Sequence, residues 1–165
     1  MDMISGDTQA NKLNFSMIRS ITAIFWLGFF VAISFMEAPL KFTAPHLSLA
    51  EGLQIGRIIF GALNKCEWAF LAIIVVTCFF KNISRRGFYL IVIISAILIV
   101  ETTWLLPILN GAAEKVIKGQ PASAPLFHLS YIFLEIVKIP VLLLIGLESY
   151  RTRNDLKEKL SYKRW

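Results

Sequence analysis

Several ionisable side chains lie inside long apolar segments of this chain, and four of them, far from the segment ends, are the residues best placed to do chemistry. They are Glu67, Glu101, Glu135 and Lys138. A charge at the centre of a membrane costs about 2.5–3.5 kcal/mol on insertion scales. Buried groups of this kind either mark a ligand, ion or proton site, or pair with one another and fix helix packing.

Helical spacing brings further polar residues onto the same faces. In the fourth apolar segment a histidine, a tyrosine, a glutamate and a lysine follow one stripe, and the first and second segments carry similar stripes. Polar stripes turn inward because hydrocarbon cannot solvate them. The predicted ligand or proton site therefore comprises Glu37, Arg57, Asn64, Glu67, Glu101, His128, Tyr131, Glu135 and Lys138.

The depth of the three central glutamates supports one shared layer. With a rise of 1.5 Å per residue, Glu101 lies about 20 Å from one face of a ~30 Å core. Glu67 and Glu135 lie about 14 Å from the opposite face. All three then fall in the outer half of the bundle, with Glu37 above them and Lys138 just below.

Composition predicts the elements that must position these residues. The 165-residue chain is 56% hydrophobic, with a mean hydropathy of +0.65, which is unusual for a soluble domain. Its apolar runs predict transmembrane helices over about 20–37, 56–80, 88–109 and 126–147. The fold class is therefore all-α, an integral membrane four-helix bundle.

Basic residues predict its orientation. The N-terminal segment, the turn 81–87 and the C-terminal tail carry two, three and six Lys or Arg residues, eleven together, against three in the other two loops (Lys41, Lys115 and Lys118). The positive-inside rule then predicts a multi-pass protein of the inner (plasma) membrane with both termini in the cytoplasm. Residues 1–15 are a polar tail, 16–150 the membrane domain and 151–165 a basic cytoplasmic tail.

Loops are expected at Glu37–Gln54 and Asn110–Pro125, where Pro, Gly and Ser interrupt the apolar pattern. A cleavable signal peptide is the alternative interpretation of the first segment, with Ala32–Ser34 as the cleavage site. The longer polar leader favours a retained helix.

The sequence lacks the residues that characterise several functional classes. The two cysteines, Cys66 and Cys78, stand twelve residues apart on one predicted helix, too far for a disulfide. The sequence has no Cys/His spacing for a metal, no nucleophile–base pair, no HExxH motif and no phosphate loop, which argues against an enzyme. No basic stripe with interleaved aromatics indicates a nucleic-acid partner. The sequence names no cofactor.

Charge counting favours a proton at the site. Four glutamates face Lys41, Arg57 and Lys138, and a buried cluster tends toward neutrality. Either His128 supplies the fourth positive charge or one carboxyl group holds a proton.

Two resemblances add to this interpretation. Residues 34–45 (SFMEAPLKFTAP) and 52–60 (GLQIGRIIF) resemble small bacterial four-span membrane proteins of a domain-of-unknown-function class. Residues 57–67 (RIIFGALNKCE) are similar in spacing to the opening of helix two in the MAPEG proteins, the membrane glutathione transferases and leukotriene synthases. That second resemblance implies a trimer that holds glutathione through Arg57, Asn64 and Glu67.

Three functional hypotheses follow. The first is a membrane bundle that binds a small molecule, an ion or a proton in its buried layer, within the lipid bilayer and with a homo-oligomer left open. The second is a structural or assembly protein whose buried charges only fix helix packing. The third is a MAPEG-like glutathione-dependent enzyme.

Overall fold

The chain forms a bundle of four long helices. The computed structural model describes residues 3–79, 83–122 and 124–162, and these ranges contain helices and no strand. Helix α1 is Met3–Val31, extended by the helical turns Ala32–Glu37, Ala38–Leu40 and Lys41–Thr43. Helix α2 is Leu49–Phe79, and α3 is Arg85–Val100, continued by Glu101–Leu105 and Leu106–Ile117. Helix α4 is Pro125–Tyr162.

The helices alternate in direction and close into a ring. Each packs against the next in sequence, and α4 packs against α1 along the most extensive interface. We call the end of the bundle that carries residues 44–48 and 118–122 the loop end. The opposite end, where α1 begins and α4 ends, is the termini end. All four helices are long and apolar enough to cross a membrane.

Local capping fixes where the helices begin and end. The Ser48 hydroxyl accepts from the Glu51 backbone N–H, and the Ser48 backbone N–H donates to the Glu51 carboxylate at 2.8 Å, so a capping box starts α2. Ser84 caps α3 by accepting from the backbone N–H of Gly87. Gly119, at φ +73°, ends α3 in a Schellman motif, with Gln120 N–H donating to the Lys115 carbonyl.

Two of the helices widen into a π-helical turn directly before a proline. In α1 the turn Ala32–Glu37 precedes Pro39, and in α3 the turn Glu101–Leu105 precedes Pro107. A proline ring clashes with the carbonyl four residues earlier and offers no N–H to it. In both helices that carbonyl belongs to the π-helical turn, so the wider turn accommodates the proline without ending the helix.

The helices are longer than the sequence predicted. The predicted loop Asn110–Pro125 is helical as far as Ile117, and the predicted loop Glu37–Gln54 is non-helical only over residues 44–48. The N-terminal tail is helical from Met3. Extending a helix costs far less than nucleating one, so polar residues with good helix propensity continue it beyond the apolar run. Residues 1–2, 80–82 and 163–165, which belong to the predicted N-terminal tail, basic turn and C-terminal tail, lie outside the described residues.

The core divides into an apolar half and a polar half. Toward the termini end it is filled by buried aliphatic side chains, including Ala23, Ile74, Ile94, Leu142 and Ile145. Toward the loop end it contains two large aromatic side chains from α1 together with the buried charges of the other three helices. The aliphatic side chains therefore pack the helices together on the termini-end side of the charged residues.

A close helix crossing predicts a destabilising substitution at Gly146. The Ser20 hydroxyl donates to the Gly146 carbonyl at 2.8 Å, and a Cβ atom at Gly146 would lie 2.8 Å from Ile24 Cδ1. Small residues permit such close approach of membrane helices. Gly146→Leu is expected to lower the free energy of unfolding by about 1–3 kcal/mol through overpacking, measured by SDS titration in mixed micelles. Gly28→Leu is the control, because no atom lies within 4 Å of its added Cβ. Equal stability of both variants would contradict the close crossing.

Candidate functional site

Lys138 of α4 is the centre of the site, and its ammonium group meets a glutamate from each of three helices. Lys138 Nζ lies 2.8 Å from Glu67 Oε1 of α2 and 2.9 Å from Glu101 Oε2 of α3. It lies 3.0 Å from Glu135 Oε1, one turn earlier on α4. The three N–H bonds of a lysine ammonium therefore serve three different carboxylates. We call these four residues the Lys138 cluster.

Helix α1 contributes the aromatic wall of the cluster. Trp26 donates its indole N–H to Glu67 Oε1 at 3.1 Å. The ring centroid of Phe30, one turn further along α1, lies 5.2 Å from Lys138 Nζ, in the range of a cation–π contact. Both aromatic side chains are fully buried. All four helices therefore take part in one connected group of interactions.

The cluster is buried from solvent, and two of its carboxylate oxygens lack regular hydrogen bonds. Lys138 and Glu101 are 0% exposed and Glu67 and Glu135 are 1% and 2% exposed. Among the described residues, Glu101 Oε1 and Glu135 Oε2 are buried without a hydrogen bond of regular geometry, and the Tyr131 hydroxyl is the donor that lies beside the Glu135 carboxylate. A buried unpaired carboxylate oxygen is costly, and it is relieved by a proton or an ordered water.

The net charge of the cluster and its missing hydrogen bonds both indicate carboxyl groups that can accept a proton. Three carboxylates around one ammonium carry a formal charge of −2 when every group is ionised. Such an excess charge is poorly tolerated in a low-dielectric core. The ammonium already occupies the centre, where an external cation would otherwise bind. The uncompensated charge resides on carboxyl groups that can accept protons.

The π-helical turn of α3 sets the direction of Glu101. Glu101 is the first residue of that turn and faces the core, whereas Trp104 is 58% exposed. An ordinary α-helix would turn residues three apart to the same side. The wider turn changes this angular relationship, so Trp104 lies on a different side of the helix from Glu101.

The remaining predicted site residues lie outside the cluster. Asn64 donates its amide to Thr102 Oγ1 at 2.8 Å, which also accepts from the Trp68 indole. Arg57 is half-exposed and lies 3.8 Å from Glu114. The structure thus directs Arg57, Asn64 and Glu67, which the MAPEG resemblance groups together, to three different partners.

Glu37 and His128 lie nearer the loop end. Glu37 pairs with Lys41 at 3.5 Å, and His128 is exposed. His128 therefore does not supply the positive charge that would balance the glutamates. Tyr131 is buried beside Glu135, with its ring packed edge-on against Phe60 at 5.9 Å.

Trp26 was not among the predicted site residues. Neither was Ser34, whose buried hydroxyl has no hydrogen-bond partner among the described residues. A signal for Trp26 existed, because Trp26 and Phe30 are four residues apart and hence share one face of α1. The described residues contain no group of three His, Cys, Asp or Glu side chains arranged to hold a metal ion. Searches against protein-family models, curated proteins and solved structures find no match for this chain.

Proposed function

We propose that the chain is a multi-pass protein of the inner, or plasma, membrane with both termini in the cytoplasm. Four helices of sufficient length and hydropathy support this proposal. Large apolar side chains on the outer surface, such as Phe79 and Leu126, suit contact with lipid. The excess of basic residues at the termini end supports the orientation. A homo-oligomer stays a prediction.

We propose further that the Lys138 cluster binds a proton on its carboxyl groups. The observation that carries this proposal is the pair of buried oxygens without regular hydrogen bonds, Glu101 Oε1 and Glu135 Oε2, beside an excess of negative charge. A proton is the one ligand that lowers the charge without needing space. A small molecule or a larger ion would have to displace the ammonium or its neighbours.

A purely structural role is the second candidate, and the geometry of Lys138 favours it specifically. The ammonium joins α2, α3 and α4, so the cluster would fix their register even if no proton were exchanged. The MAPEG-like enzyme stays a prediction from the resemblance; it is tested by glutathione binding in detergent and its loss in Arg57→Ala.

Infrared spectroscopy separates proton binding from a purely structural role. The protein in lipid nanodiscs is expected to show the carbonyl stretch of a protonated carboxyl group at neutral pH, and ¹³C-labelled glutamate should shift that band. Glu101→Gln and Glu135→Gln remove a carboxyl group at nearly constant volume, so at least one of them should abolish the band while the bundle stays folded.

Glu114→Gln is the matched control, because Glu114 is a half-exposed glutamate paired with Lys118 at 2.7 Å. Its spectrum should retain the band. Absence of the band over the whole pH range in which the protein is folded would exclude proton binding by the cluster. In that case, equal losses of stability in the two buried variants would favour the structural role.

A further inference from the structure

The half of the core between the Lys138 cluster and the termini end offers no polar route. Helix α4 rises about 16 Å from Lys138 to Ser149. Buried polar groups in this half, Ser16, Arg19 and Ser149, lie near the termini end. Between them and the cluster the core is filled by Ala23, Leu71, Ile74, Ile94, Leu98, Val141, Leu142 and Ile145. The hydroxyl groups of Ser20, Thr77 and Ser95 donate to backbone carbonyls. This half resembles a dry packed core, which excludes water and hence protons.

The half between the cluster and the loop end contains unsatisfied polar atoms. Ser34 lies one helical turn beyond Phe30 on α1, within the π-helical turn, and its buried hydroxyl has no partner among the described residues. In the described parts of the chain, three buried side-chain oxygens lack a hydrogen bond of regular geometry: Ser34 Oγ, Glu101 Oε1 and Glu135 Oε2. All three therefore lie within the cluster or on its loop-end side. Buried polar atoms of this kind are commonly bridged by ordered water.

A series of side-chain contacts extends from the cluster toward the loop end. Tyr131 lies beside Glu135 and packs against Phe60. Lys41 Nζ lies 5.4 Å from the centroid of the same Phe60 ring and 3.5 Å from Glu37 Oε2. The Lys41 side chain is 9% exposed and that of Glu37 is 29% exposed. The Phe60 ring itself carries no proton, but it packs between Tyr131, which lies beside the cluster, and the partly exposed Glu37–Lys41 ion pair.

We infer that the Lys138 cluster exchanges its proton only with the loop end, through water held by Ser34 and Tyr131, so that it registers the proton concentration on that side without conducting protons across the bundle. The inference rests on the proposed proton binding. The titratable groups that face the exchanging carboxyls are Glu67 from α2, Glu101 from α3, and Tyr131, Glu135 and Lys138 from α4, whereas α1 presents Trp26 and Phe30. In the proposed topology the loop end faces away from the cytoplasm.

The test is the rate at which the carboxyl band shifts after transfer of the nanodisc-bound protein into D₂O. Ser34→Val and Tyr131→Phe should slow this exchange by about tenfold or more, since each removes a hydrogen-bonding group from the path. Ser34→Ala is the milder variant should valine disturb the π-helical turn. Ser95→Val and Ser20→Ala alter hydroxyls on the opposite side of the cluster and should leave the rate unchanged.

The outcomes separate the two proposals. A band that exchanges more slowly only in the loop-end variants supports the one-sided path. A band that is present but slowed equally by the termini-end variants, or by neither set, overturns the path and leaves proton binding intact. A wild-type spectrum without the band overturns both proposals.

Discussion

Replacing Lys138 with methionine is expected to lower the free energy of unfolding by about 3–5 kcal/mol, because it leaves three buried carboxyl groups without their counter-charge. The lysine is fully buried and contacts Glu67, Glu101 and Glu135 within 3.0 Å. Methionine fills a similar volume, so the loss reflects charge and hydrogen bonding more than packing. SDS titration in mixed micelles, followed by circular dichroism, measures the change.

Two comparisons test that explanation. Lys118→Met removes a lysine that pairs with Glu114 at 2.7 Å but is 61% exposed, so it should change stability by less than about 1 kcal/mol. Adding Glu→Gln at the three cluster glutamates to Lys138→Met should recover much of the loss, since a neutral cluster has no unpaired charge. A single Lys138→Met variant as stable as the wild type would rule out the ion-paired cluster.

The second large effect is expected at Phe30. Phe30→Ala should destabilise the bundle by about 3–5 kcal/mol, since it opens a cavity in a fully buried site and removes the ring beside the ammonium. Phe30→Leu keeps the site apolar and removes the ring, so its smaller loss of about 1–2 kcal/mol reports the cation–π contact. Both free energies come from the same SDS titration.

Phe25→Ala is the matched control for the aromatic deletion. Phe25 lies on the same helix but is 61% exposed on the outer surface, where lipid or detergent can replace the lost ring. Its effect should be well below that of Phe30→Ala. A loss in Phe25→Ala that equals the loss in Phe30→Ala would show that the ring next to Lys138 is not energetically special.

The hydropathy pattern was sufficient to predict most of the fold. The all-α four-helix prediction is confirmed, because long apolar runs separated by Pro, Gly and basic residues leave few other architectures. The loops were harder to place. The helical continuation through residues 110–117 depends on helix propagation into a polar segment, and hydropathy does not report propagation.

The sequence predicted the level of the site residues along the helices better than the direction in which their side chains point. A fixed rise per residue is enough to place Glu67, Glu101 and Glu135 at a similar level, and the structure joins all three to one ammonium. Lys138 was expected below them, but its four-carbon side chain reaches one turn along the helix. Trp104 lies on a different face from Glu101 because a π-helical turn changes the angular register, and in the sequence only the nearby Pro107 indicates that turn.

The placement of Lys138 on the last helix has a consequence for biosynthesis. Helices emerge from the ribosome in sequence order, so in the proposed membrane protein α2 and α3 would enter the bilayer with Glu67 and Glu101 before Lys138 has been made. Helix α4 in turn carries a lysine and a glutamate that would disfavour its insertion alone. The early helices are therefore incomplete products, and the arrival of α4 is the step that turns four costly segments into one stable bundle. A chain truncated before Pro125 would present unpaired acidic helices to the quality-control machinery of the cell.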